Sequence, residues 1–121
     1  AMTAQPLMVA GPGRFDTLAM ELGQGRFISK GGAEGYQAIG VLPGAIAPGS
    51  PALGIAIKIA DGDRTGRARP VVAAEMLRRL GLLSGEQIRE HLAQLAERPV
   101  TNWRGLEVGL MRPAFPFELA F

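Results

Sequence analysis

Lys30 has the least ordinary surroundings in this chain: it lies in Ser29-Lys30-Gly31-Gly32-Ala33-Glu34-Gly35, with two glycines directly after it. A lysine at the end of a strand can project its ammonium group into a cleft. Desolvation or a neighbouring cation there lowers its pKa, and it can then accept a proton. Beside a serine hydroxyl, such a lysine activates the serine or steadies the charge that develops. The glycines remove side chains from the adjoining backbone, so a substrate can approach the main-chain N–H groups, and those groups can form an oxyanion hole. The same spacing also describes a solvated strand end entering a glycine-rich hairpin. Glu34 divides in the same way, between a surface charge and an acid that pairs with Lys30 or a substrate amine.

Other chemistry-bearing residues read more plainly. Ser29 precedes Lys30, so strand alternation sends it to the opposite face, where it is a poor nucleophile. Asp16, in Gly11-Pro12-Gly13-Arg14-Phe15-Asp16-Thr17, is placed to cap a following helix, and Arg14 stays open as a substrate contact. Gly62-Asp63-Arg64-Thr65-Gly66-Arg67 lacks the G-x-x-x-x-G-K-[ST] pattern of a phosphate loop and reads as a structural turn. His91 is the single histidine. It falls on an ordinary amphipathic helix without a serine–carboxylate partner motif, which makes it a surface or packing residue. Trp103, Phe115, Phe117 and Phe121 read as core or interface anchors rather than a stacking platform.

The elements that position these residues follow from periodicity and punctuation. Residues 1–9 carry no helix start signal and look like the tail of an element. Asp16 opens a short helix over 17–22 that stops at Gly23. Strands are expected over 26–30 and 36–42. A third follows at 53–59, where Leu53, Ile55, Ile57 and Ile59 alternate with Gly54, Ala56 and Lys58. Asp61-Gly62-Asp63 ends it with turn chemistry. Pro70 suits the first turn of a helix reaching 80. Ser84 with Gln87 is a capping-box signature for another helix through 96, closed by Pro99. A turn at 102–105 and a last strand at 106–111 complete the order. Short connections favour antiparallel neighbours, so the expected fold class is α+β, a largely antiparallel sheet flanked by helices.

Composition narrows the chemistry further. The 121 residues suffice for one compact domain, and hydrophobic residues at 47% argue against global disorder. Seventeen glycines and nine prolines break the chain too often for a simple helical bundle. With no cysteine, a disulfide framework, a thiol nucleophile and a cysteine-based metal site are excluded within these residues, which fits a cytoplasmic location. A net charge of +2, with only Arg64, Arg67 and Arg69 clustered, is weak support for nucleic-acid binding. Every apolar run is interrupted before it could span a bilayer.

Several segments in order resemble one family. VAGPGRFDT at 9–17, SKGGAEGYQAIG at 29–40, LGIAIKIADGDRTGRARPVVAAEML at 53–77 and NWRGLEVGLMRP at 102–113 are similar to the asparaginase II family, the serine- and lysine-dependent group. The resemblance covers nearly the whole chain. It implies the C-terminal part of a serine β-lactamase-like fold, and an amidohydrolase that converts L-asparagine to L-aspartate and ammonia. Lys30 matches the family's late lysine, on a central strand. Lys30-Gly31-Gly32 is similar to the Lys-Thr/Ser-Gly motif of β-lactamase-like enzymes, which makes the N–H of Ala33 a candidate oxyanion donor by fold-level analogy. On this reading Lys30 is catalytic, and Gly31, Gly32, Ala33 and Glu34 line the substrate.

The family's early serine–lysine motif is missing here, and so is the cysteine-containing region that binds zinc in some members. A family member is more than twice this length. The expectation is that residues 1–121 form the C-terminal portion of one asparaginase II-like domain, inactive alone, with no cofactor held by these residues. The implied partners are L-asparagine, the N-terminal portion of the same protein and further copies in a homo-oligomer, with neither nucleic acid nor membrane. The alternative is a non-catalytic module that uses a sheet edge or the apolar tail for assembly.

Overall fold

Alternation of bulky and small side chains builds the centre of the molecule. In the computed structural model, which describes residues 1–118, β1 (Phe27–Gly32), β2 (Tyr36–Val41) and β3 (Leu53–Lys58) form an antiparallel sheet in that order. Phe27 lies opposite Val41, Ser29 opposite Ile39 and Gly31 opposite Gln37. In turn Val41 faces Leu53, Ile39 faces Ile55 and Gln37 faces Ile57. These positions share the inner face. The other face carries Ile28, Lys30 and Gly32, then Tyr36, Ala38 and Gly40, then Gly54, Ala56 and Lys58. A period of two thus gives one bulky wall and one shallow wall of mainly small residues.

Helices cover only the bulky wall. A short 3₁₀ turn (Met2–Ala4) and α1 (Pro6–Ala10) lead into α2 (Phe15–Gly23). Residues 1–9, expected as the tail of an element, instead carry the 3₁₀ turn and most of α1, with Pro6 in the first turn of α1. α2 buries Phe15, Ala19 and Met20 against Phe27. Burying a side chain of this size stabilises by about 1.5–3 kcal/mol. The approach is close: a Cβ at Gly23 would lie 2.4 Å from the Phe27 ring.

After β3, Asp63 turns the chain into α3 (Ala68–Arg79), whose Ala73, Ala74 and Leu77 complete the core. Ser84 and Gln87 make the expected capping box at the start of α4 (Gly85–His91). The single helix expected through 96 is broken: Leu92 leaves helical geometry at φ −124°. A separate turn, α5 (Ala93–Ala96), follows. Leu92 and Ala96 are both buried, and the i, i+4 spacing of Ile88, Leu92 and Ala96 keeps them on one side across the break.

The stretch closed by Pro99 holds an unexpected strand. β4 (Arg98–Thr101) pairs antiparallel with β5 (Glu107–Met111) in a second, two-stranded sheet. Asn102 shapes the turn by accepting hydrogen bonds from the Arg104 and Leu106 N–H groups. Pro99 is tolerated because an edge strand can spare one N–H donor. Of the expected aromatic anchors, Phe117 packs on the core, and Phe115 lies under the Arg79 guanidinium at 5.0 Å. Trp103 is 89% exposed, so it is not part of the core. Phe121 lies outside the described residues. Among those residues, no helix is long and apolar enough to cross a membrane.

Candidate functional site

The Lys30 segment is the end of an edge strand of the three-stranded sheet, not of the central strand that the resemblance implied, and it enters a tight hairpin. β1 pairs with β2 on one side only, and its outer edge meets the start of α2. Lys30 is exposed on the shallow wall of the sheet, and its Nζ donates to the Gly31 carbonyl at 3.0 Å. Neither Lys30 nor Glu34 has an ion-pair partner among the described residues. Glu34 leans over the neighbouring turn, with Oε2 3.8 Å from the position a Gly62 Cβ would take. A cavity of about 280 Å³ lies between α3 and the α4–α5 region, and another of about 360 Å³ lies against the first helical turns; residues 29–35 line neither. The ammonium group of Lys30 therefore faces solvent, and neither cavity supplies the cleft that the sequence reading placed around it.

The three backbone donors after Lys30 differ in what they can still bind. The Gly31 N–H donates to Asp16 Oδ2 at 2.8 Å. Gly31 thus points away from β2, and antiparallel alternation turns Gly32 toward β2, opposite Tyr36. Ala33 lies beyond the strand, is exposed, and its N–H meets no acceptor among the described residues. Of the expected oxyanion donors, Ala33 is the one whose N–H is free.

Gly31 is bare for an internal reason. An added Cβ would fall 2.5 Å from Arg69 Nη1, 3.3 Å from Gln37 Oε1 and 3.4 Å from Asp16 Oδ2. At Gly32 the nearest atom would be Tyr36 Cδ1 at 3.7 Å, an ordinary contact. Gly35 has a φ of 65°, and its Cβ position is 2.8 Å from the Gly62 carbonyl carbon. The hairpin tip therefore rests directly on the turn after β3, and Lys58 Nζ donates to the Glu34 carbonyl.

Beneath Lys30, on the bulky wall, lies a polar cluster. Asp16 is not the helix cap: the cap position of α2 is Arg14, and it makes no side-chain cap bond. Asp16 sits in the first turn and aims at the sheet. Its Oδ1 accepts from Ser29 Oγ at 2.6 Å and from Gln37 Nε2 at 2.7 Å, and Gln37 Nε2 also lies 2.8 Å from Ser29 Oγ. Ser29 faces away from Lys30, as alternation requires. Arg69 donates to the carbonyls of Gly32 (3.4 Å) and Tyr36 (3.3 Å).

Arg69 is itself held by Asp63 at 3.4 Å. Asp63 accepts from the backbone N–H groups of Arg67, Ala68 and Arg69. Burial alone would raise the Asp63 pKa, but these donors and the Arg69 charge outweigh it and hold the carboxyl below its usual value. The N–H groups that a phosphate would need are thus already occupied, and the loop is structural. Arg67 pairs with Asp61 at 3.4 Å. Of the clustered arginines, only Arg64 has no ion-pair partner among the described residues, so the trio forms no free basic patch. His91 is exposed beside Glu90 at 3.7 Å.

Sequence reasoning missed Gln37, Arg69 and Lys58. Lys58 was legible as the charged member of the small-residue face of β3. By strand spacing its Cα is about 12 Å from that of Lys30 on the same wall. Gln37 and Arg69 left no local signal. The described residues bring no three His, Asp or Glu into a metal cage, and the chain has no cysteine, so these residues do not fit a zinc ion.

Comparison with known families agrees with the segments that carry the resemblance. The profile of the L-asparaginase II family matches residues 1–113. The chain belongs to this family. Among curated proteins, none matched it.

Proposed function

We propose that this chain supplies the lysine-bearing wall of an amidohydrolase that converts L-asparagine to L-aspartate and ammonia. Membership of the L-asparaginase II family carries the reading, and the placement of Lys30 beside the free Ala33 N–H supports it. In this reading residues 1–121 correspond to the C-terminal portion of the enzyme's domain, with a β-lactamase-like architecture, and a serine comes from the N-terminal portion. That portion also closes the cleft over the exposed Lys30, in a homo-oligomer located in the cytoplasm.

The serine Oγ attacks the side-chain carboxamide carbon while Lys30 takes its proton or steadies the negative charge. The Ala33 N–H binds the oxyanion, with Gly31 and Gly32 shaping the approach and Glu34 near the substrate amine. Ammonia leaves with a proton, and water then hydrolyses the acyl-enzyme to aspartate. Ammonia release from L-asparagine by the full-length protein tests the proposal. Lys30→Ala is expected to lower turnover about 10²–10⁴-fold, the range of a positioned proton-transfer group; near wild-type turnover removes Lys30 from the mechanism.

The second reading is a non-catalytic assembly module. It is favoured by the β4–β5 ribbon, which exposes Leu106, Val108 and Leu110. A purified chain that stays monomeric and retains no companion polypeptide counts against it.

A further inference from the structure

We infer that Asp16 is a positioning residue for the Lys30-Gly31-Gly32 backbone, acting from the face of the sheet opposite Lys30. The inference rests on the role proposed for Lys30. Asp16 is 7% exposed, and its carboxylate receives three donors. Two of them, Ser29 Oγ and Gln37 Nε2, belong to adjacent strands. The third is the Gly31 N–H, which the alternation of β1 turns outward at the sheet edge, where no strand lies to accept it. One carboxylate thus joins β1 to β2 and closes the open edge of β1 next to Lys30. Its place in the first turn of α2 adds the favourable end of the helix dipole.

The same peptide is held from its other sides. Arg69 Nη1 occupies the space a Gly31 side chain would need, and bonds the carbonyls of Gly32 and Tyr36. Lys30 Nζ rests on the Gly31 carbonyl. The amide of Gly31 therefore cannot move without moving both the Lys30 Cα before it and the Ala33 N–H two residues after it. Three charge-assisted bonds inside a buried site are stiffer than an open strand edge. A displacement of about 1 Å at a reacting group costs roughly 10²-fold in rate, so fixing this amide is of direct consequence for turnover.

The test uses the full-length protein with Asp16→Asn, Lys30→Ala and the double variant, and with Glu75→Gln as a control for stability alone. Asparagine at position 16 keeps the shape and one accepting oxygen, but replaces the other oxygen with an amide NH2 that faces a donor needing an acceptor. The expected result is a kcat lowered at least about 10-fold, with KM within about 3-fold. In the Lys30→Ala background the same change should alter the residual rate by less than about 2-fold, since both act through one group. Backbone hydrogen exchange at Gly31 should accelerate at least about 10-fold relative to Phe27 on the same strand.

Unchanged kcat, or an equal loss in both backgrounds, overturns the inference. If Lys30→Ala retains turnover, the proposed function fails by itself, and Gly31 exchange alone then decides: faster exchange in Asp16→Asn sustains the clamp and unchanged exchange refutes it. Should Asp16→Asn not fold, Asp16→Glu, one methylene too long to keep all three bonds, takes its place under the same criteria.

Discussion

The molecule contains two antiparallel hairpins with opposite surroundings. The β1–β2 hairpin has a third strand beside it, helices on its bulky face and a buried carboxylate at its edge. The β4–β5 ribbon has two strands, a bulge between Val100 and Thr101, and apolar side chains in solvent. Both have the same local grammar of alternation and turn. What differs is what lies on their faces, and an isolated two-stranded ribbon is marginal in water. Backbone pairing defines a hairpin's shape, whereas side-chain cover determines whether it can hold a reacting group still. The hairpin bearing Lys30 has that cover on one wall only, and it is the wall away from the amine.

The largest stability effect should come from removing that cover. Phe27→Ala deletes a fully buried ring and should destabilise by about 3–5 kcal/mol in denaturant unfolding; a loss below 1 kcal/mol would mean that the β1–β2 hairpin does not depend on α2. Gly31→Ala comes next. It forces Arg69 off the strand and should cost about 1–3 kcal/mol, as overpacked buried positions do. Gly32→Ala should be mild by the same measure, and equal effects at the two positions would remove the distinction between them.

Much of the first hairpin was legible in the sequence and little of what stabilises it was. Alternation in 53–59, the Gly31-Gly32 run and the Ser84–Gln87 pair are local signals, and each located its element, although the helix opened by Ser84 ends at His91 and not at 96. Asp16 also looked local, because helix caps are read from immediate neighbours. Its actual partners lie 13, 15 and 21 residues away, and no spacing rule reaches that far. β4 was hidden by Pro99, which reads as a terminator unless the chain is known to be an edge. The break at Leu92 left no mark in the sequence, because Ile88, Leu92 and Ala96 keep the i, i+4 spacing of one continuous helical stripe across it.

A smaller effect concerns α3, part of the cover on the bulky wall. The Arg78 hydrogen bonds lower the Glu75 pKa most; burial opposes them and Arg79 adds to them, leaving it at about 2 against an ordinary 4.5. A carboxylate depressed on folding stabilises the native state above its unfolded pKa, and that contribution disappears as it is protonated. The stabilisation should be complete above pH 4.5 and fade as pH falls toward 2. Unfolding midpoints measured across that window should show a shallower acid slope for Glu75→Gln, and an unchanged slope would mean that the two arginines do not bind the acid tightly in solution.

The smallest effect is expected in the bare ribbon. Val108→Thr and Leu110→Thr should each shift the stability of the chain alone by no more than about 0.5 kcal/mol, as exposed substitutions do. A larger loss in the full-length protein than in this chain would show that the ribbon is covered there, and would narrow the contrast with the first hairpin.

The packing of Arg69 on Gly31 also constrains redesign. A library that randomises the positions after Lys30 to widen the range of amides accepted is expected to return glycine at 31 whatever substrate is selected, because the arginine rather than the ligand excludes a side chain there. Small residues can enter at 32, where a methyl group meets only the Tyr36 ring. Engineering effort would therefore be better directed at 32 and 33, leaving residue 31 as part of the scaffold.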